Sequence, residues 1–187
     1  MKDIILASAS PRRRELLQLA GVNFTVDVAD ADETLENGIS PDEAVKKLAQ
    51  IKAKAVFAKH PDSIVIGADT VVAIDGKILG KPKNYNEANE MLNMLSGKKH
   101  YVFTGVCIMT NEKATVLCQK TAVEFYSLSQ NEIDEYISSG DCFDKAGGYG
   151  IQTNGCVLVK GIEGDYFNVV GLPVAETVRA LKEIQHG

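Results

Sequence analysis

Apolar and polar positions follow two rhythms along this chain. Ile4 to Ala7 is a short continuous apolar run, the pattern of a buried strand. Ser8-Ala9-Ser10-Pro11 follows, and Arg12 to Ala20 has helical composition. Ser10 suits the N-cap of that helix, Pro11 its first position and Gly21 its end. Phe24 to Val28 reads as a second strand, and an acidic segment containing Asp32 and Glu33 begins at Asp30. Ser40-Pro41-Asp42-Glu43 has the form of a capping box. The helix it opens reaches about Lys59, with Ala44, Leu48, Ile51, Ala55 and Ala58 as its apolar stripe and Lys52 and Lys54 beside the stripe.

Ile64-Val65-Ile66-Gly67-Ala68-Asp69 is apolar until its last residue, as expected of a central strand that ends in a carboxylate. Val71 to Ile74 and Lys77 to Leu79 flank Asp75-Gly76, a two-residue hairpin signal. Asn86 to Leu95 reads as a helix closed near Gly97. Tyr101 to Met109 and Thr115 to Phe125 read as two long strands with a turn at Asn111. Ser129-Gln130-Asn131-Glu132 is a second capping box, and Gly140 ends its helix. A glycine-rich loop precedes Ile151-Gln152. Cys156 to Ile162 and Tyr166 to Val170 read as a further hairpin, and Pro173 opens a terminal helix. No repeat or linker interrupts this order, which predicts an α/β fold with a mixed sheet.

Composition narrows the function classes. The chain has 187 residues, a formal net charge of −5, 45% apolar residues and 24% charged residues. These are globular values. The acidic balance argues against a nucleic-acid surface, though not against a local cationic pocket. No apolar stretch reaches the roughly 18 residues of a membrane span, and the first apolar run is too short for a signal peptide. Four scattered cysteines and three distant histidines lack zinc-site spacing. The thiols are expected to be buried small apolar residues in a reducing, cytoplasmic setting.

Candidate chemistry begins at Ser8-Ala9-Ser10-Pro11-Arg12-Arg13-Arg14, where a strand turns into a helix start. Helix N-termini attract anions and repel cations, so three arginines there read either as a solvated basic turn or as a site for a bound polyphosphate, with the preceding strand and the cap favouring the second. Guanidinium groups meet phosphate in a bidentate fork. Asp69, at the expected carboxyl end of a strand, can hold Mg²⁺ or orient a water. Asp32-Glu33 adds a possible metal pair, while Lys52 and Lys81 add cations. In the glycine loop, close backbone approach precedes Gln152, whose amide offers a donor and an acceptor. The loop is neither a Walker A loop nor a dinucleotide fingerprint. Cations, carboxylates and an amide reader together fit a magnesium polyphosphate that carries a base.

Leu6-Ala7-Ser8-Ala9-Ser10-Pro11-Arg12-Arg13, Ile66-Gly67-Ala68-Asp69-Thr70, Gly80-Lys81-Pro82, Asp144 to Gln152 and Val170-Gly171-Leu172-Pro173 resemble, in order, the motifs of the Maf family of nucleoside triphosphate pyrophosphatases. The resemblance implies a Maf/Ham1, inosine-triphosphatase-like α/β fold. It would be one domain over residues 1–187, a mixed twisted sheet with two lobes around a central cleft, and homodimers are common in the family. It implies hydrolysis between the α and β phosphates with a divalent cation, Mg²⁺ or Mn²⁺. Asp69 matches the proton acceptor, with Asp69 and Glu33 as metal positions. Arg12, Thr70 and Gln152 match specificity positions, while Ser8, Arg13, Lys52 and Lys81 match further substrate-binding positions. One branch of the family, preferring 7-methyl-GTP, carries Trp, Gln and Glu where this chain has Arg12, Thr70 and Gln152. The chain therefore resembles the dTTP and UTP branch. A neutral pyrimidine imide suits an amide, whereas a cationic methylguanine suits a carboxylate. The alternative reading is a non-catalytic regulator of septum formation.

Overall fold

Helix α2 (Pro41–Phe57) lies almost backbone to backbone on two strands, β3 (Ile64–Ile74) and β5 (Lys99–Met109). A Cβ on Gly67 would collide with the Ala49 carbonyl oxygen and sit 2.7 Å from the Ala53 nitrogen. A Cβ on Gly105 would collide with the Val45 carbonyl and sit 2.8 Å from the Lys46 nitrogen. The buried face of α2 is Ala44, Val45, Leu48, Ala49, Ala53 and Val56, with Ala49 and Ala53 at the close approach to Gly67. This corrects the expected stripe. Ile51 and Ala55 are only partly buried and Ala58 is exposed. Hydrophobicity favoured Ile51, but close approach to a glycine strand selects alanine.

The computed structural model describes residues 2–28, 31–36 and 38–186, with the backbone alone at 186. Asp30, the expected start of the acidic segment, lies outside them. The remaining elements are β1 (Ile4–Leu6), α1 (Pro11–Leu19), β2 (Thr25–Val26), β4 (Lys77–Leu79), α3 (Tyr85–Leu95), β6 (Ala114–Phe125), α4 (Gln130–Ser138), β7 (Val159–Glu163), α5 (Tyr166–Val170) and α6 (Val174–His186). Two short 3₁₀ turns, Ala146–Gly148 and Asn154–Leu158, precede β7. The seven strands follow the order β2-β1-β3-β5-β6-β7, with β4 on β3. β1 is parallel to β2 and β3, while the β3–β4 and β6–β7 pairs are antiparallel. The fold is thus α/β with a mixed sheet.

Two units divide the chain. The first comprises Met1–Thr70, Thr104–Gln119 and Gly171–Gly187. Its core holds Ile5, Ala7, Ala49, Ala53, Val56, Val65 and Cys107. Parallel pairing of Ile5 with Val65 and of Leu6 with Ile66, extended by the Ala7 N–H donating to the Ile66 carbonyl, delivers Ser8 from β1. The second unit comprises Val71–Phe103 and Lys120–Val170. Phe125, Leu92, Leu95 and Ile133 are fully buried in its core.

Three further expectations change. The Ser40 box does not close, because Ser40 Oγ donates to Asp42 Oδ1 at 2.7 Å and Lys46 takes the Glu43 carboxylate at 2.7 Å. The Ser129–Glu132 box does close. The second arm of the late hairpin is helix α5, whose Phe167 N–H donates to Asp165 Oδ1 at 2.8 Å. That helical turn buries Asn168, which donates to the Val102 carbonyl and to Thr121 Oγ1, a pairing that outweighs the strand preference of Tyr166-Phe167. Of the cysteines, Cys107 and Cys142 are buried as expected, but Cys156 is exposed.

Two predictions follow from this packing. Gly67→Ala should lower unfolding free energy by about 3 kcal/mol in urea titration, because backbone rather than a flexible side chain must move. Gly161→Ala, with open space around it, should change it by less than about 0.5 kcal/mol. His100 is fully buried in the second unit, with Nε2 2.8 Å from the Tyr149 hydroxyl. Burial pulls its pKa down to about 4 from 6.5, against the opposing pull of the Lys98 backbone. The unfolded chain protonates first, so this group's contribution is whole above pH 6.5 and is lost as pH falls toward 4. Between pH 7 and pH 4 wild type should lose on the order of 3 kcal/mol more stability than His100→Gln in parallel denaturant titrations.

Candidate active site

Arg13 organises the first unit around the start of α1. Its guanidinium donates from Nε to the Gly171 carbonyl at 2.9 Å, from one terminal nitrogen to Ser8 Oγ at 3.0 Å, and from the other to Thr70 Oγ1 at 3.1 Å. The side chain is only 9% exposed. Burial lowers its pKa, Asp69 pulls it up, Arg12 lowers it and Glu33 pulls it up. This turns one of the three helix-start arginines inward, away from the unfavourable dipole. Arg14 instead donates to the Ala9 carbonyl at 3.1 Å on the surface. Ser10 is the N-cap by backbone geometry but makes no side-chain cap bond, and its N–H donates to Ser8 Oγ at 3.3 Å. Ser8 thus ties the β1 end to both the helix start and Arg13.

β3 does not stop at Asp69, as the sequence reading had it. It continues to Ile74, so the carboxylate stands in mid-strand. Asp69 and Thr70 are the two partly exposed residues in an otherwise buried strand. Thr70 Oγ1 lies 2.9 Å from Thr104 Oγ1, so its hydroxyl is held by Arg13 and Thr104 together. Lys52, on the sheet-facing side of α2, places Nζ 2.5 Å from Asp69 Oδ1 and 3.1 Å from Glu33 Oε2. The Lys52 and Asp69 side chains are 15% and 14% exposed, while Glu33 is 48% exposed. One ammonium therefore bridges two carboxylates, and the Arg13 guanidinium is near enough to feel both.

Asp32 does not join this group by any bond. It accepts from the Thr34 N–H and hydroxyl in a local turn. Among the described residues no cluster of three or more His, Cys, Asp or Glu forms a ready-made metal cage. Asp69 and Glu33, two hard oxygen donors converging on one cation, fit Mg²⁺ or Mn²⁺, which commonly take one or two carboxylates and complete their shell with water and phosphate oxygens. Lys81 and Gln152 belong to the second unit and are exposed on it. The Gly80 carbonyl beside Lys81 accepts the Gly147 N–H at 2.9 Å. Sequence reasoning did not single out Thr104 or the Gly171 carbonyl. A hydroxyl residue within the apolar run of β5 is the signal the sequence carries for Thr104, and the structure buries it fully.

Comparison with known proteins adds to this geometry. The family model described as Maf-like protein matches residues 3–184. A dTTP/UTP pyrophosphatase of Bacillus cytotoxicus is 52% identical over 187 residues, covering 100% of this chain and 98% of its own. One of Bacillus pumilus is 50% identical over 182 residues, covering 97% and 96%. Among solved structures, the Staphylococcus aureus Ham1 protein is similar over 66% of this chain and 72% of its own, at 17% identity and a TM-score of 0.49. By the family match over nearly its whole length, this chain belongs to the Maf-like protein family.

Proposed function

We propose that this chain is a nucleoside triphosphate pyrophosphatase that hydrolyses dTTP and UTP to the nucleoside monophosphate and pyrophosphate. The observation that carries the reading is end-to-end identity of about half with proteins of that name. The Asp69–Lys52–Glu33 group beside Arg13 supports it, because it combines an acceptor for a water proton with cations for phosphate.

In this mechanism Asp69 takes a proton from a water whose oxygen attacks the α-phosphorus. The bond from that phosphorus to the α,β-bridging oxygen breaks, and pyrophosphate leaves with the bond's electron pair. Lys52 and Arg12 offset charge on the phosphate oxygens. Asp69 and Glu33 are the residues that would hold a divalent cation, whose chemistry when bound is to neutralise phosphate charge. Arg13 and Ser8 fix the helix start against β3, and Thr70, whose hydroxyl is engaged by Arg13, keeps Asp69 in register with that network. On the second unit, Gln152 carries an amide suited to a pyrimidine edge and Lys81 a further cation.

Asp69→Asn should reduce pyrophosphate release from dTTP by about a thousandfold or more while leaving thermal unfolding within a few degrees of wild type. Chromatography of the wild-type reaction should show dTMP and pyrophosphate in equal amounts. Full activity of the variant, or release of single phosphate, would contradict the mechanism. A chelator should silence wild type, and added Mg²⁺ or Mn²⁺ should restore it.

A further inference from the structure

The segment that carries Gln152 is folded around a buried ammonium. Lys145 is 7% exposed, and Nζ donates to the Asp141 carbonyl at 2.7 Å, to Asp141 Oδ1 at 3.0 Å and to Asp144 Oδ1 at 2.7 Å. Those three contacts match the three N–H donors of an ammonium. The other Asp141 oxygen accepts Thr153 Oγ1 at 2.6 Å and the Tyr136 hydroxyl at 2.8 Å. The Tyr136 hydroxyl in turn accepts the Gly150 N–H at 3.2 Å. A Cβ at Gly150 would sit 2.5 Å from Thr153 Oγ1 and 2.7 Å from Lys145 Cδ, so the loop closes fully on the lysine stem. Tyr149 is pinned as well, by the His100 ring and by an edge contact to Phe125 with centroids 4.7 Å apart.

Buried ion pairs are poor stabilisers compared with apolar packing, because desolvation consumes most of the Coulombic gain. Such a pair is better explained by the conformation it selects. Here both neighbours of the exposed Gln152 region, Gly150 and Thr153, end on the same Asp141–Tyr136 pair. We propose that Asp141 and Lys145 are positioning residues for substrate selection, holding the 150–153 segment so that the Gln152 amide meets the pyrimidine edge in one orientation. This rests on the preceding reading of Gln152 and adds the device that aims it. None of the four side chains Asp141, Lys145, Tyr136 and Thr153 touches substrate in this scheme.

The test is a double-mutant cycle read in substrate selectivity. Wild-type turnover of UTP and CTP is measured first, since its absence would overturn the proposed function and this inference with it. With wild type active, Asp141→Asn should raise KM for UTP about tenfold at nearly unchanged kcat and bring UTP:CTP selectivity down by a similar factor. Gln152→Ala should do the same. Adding Asp141→Asn to Gln152→Ala should then change selectivity by less than about twofold, because the aimed group is already gone. Thr153→Val, at an exposed position with little risk to folding, is the second variant and should shift selectivity in the same direction by about threefold. Unchanged selectivity in both Asp141→Asn and Thr153→Val, or an equal Asp141→Asn effect with and without Gln152, would overturn the proposal.

Discussion

The first unit depends on how deeply one helix can settle onto a sheet. At Gly67 and Gly105 the absence of a side chain lets α2 contact the backbones of β3 and β5. Ala49 and Ala53 complete the fit from the helix side. Lys52 precedes Ala53 in the same helix, and Asp69 follows Gly67 by two residues in the same strand. Their ion pair is therefore set by the close approach of α2 to β3 at Gly67. A helix lifted by one methyl group would carry the ammonium away from both carboxylates.

Charge is distributed against the bulk count. The chain as a whole is acidic, yet in the site Lys52 is paired with Asp69 and Glu33, and Arg13 lies in the field of both carboxylates and of Arg12. Arg13 and Lys52 are held differently. Arg13 is bonded to neutral oxygens from three separate segments, so it fastens the strand end, β3 and the entry to α6 together. Lys52 is bonded to the Asp69 and Glu33 carboxylates, so its charge is directly exchanged when an anion or a cation arrives. Lys145 in the second unit follows the first pattern in part, with a backbone carbonyl among its acceptors.

Much of the architecture was legible because its signals are local. The Asp75-Gly76 turn carries positive φ at both residues, as a two-residue hairpin requires, and β3 pairs with β4 through Ile74 and Lys77. The Ser129 box closes with the Ser129 N–H donating to Glu132 Oε2 at 2.7 Å and the Glu132 N–H donating to Ser129 Oγ at 3.4 Å. The Ser40 box had the same letters, but Asp42 and Lys46 offered better partners. Tyr166 to Val170 looked like a strand because its composition is that of a strand, and only the burial of Asn168 made it helical. For the site, the charged residues announced themselves, whereas Thr104 and the Gly171 carbonyl did not.

By itself the sequence determined the alternation of strands and helices, the turns, the charge of the helix start and the family to which the motifs belong. These depend on neighbours within a few positions, or on residue types that chemistry cannot replace. Tertiary structure alone decided that β3 runs through Asp69, that α2 presents alanines rather than Ile51, and that Arg13 faces inward. Each of those outcomes turns on contact between segments tens of residues apart, where backbone approach and hydrogen-bond acceptors outweigh the preferences of any single stretch.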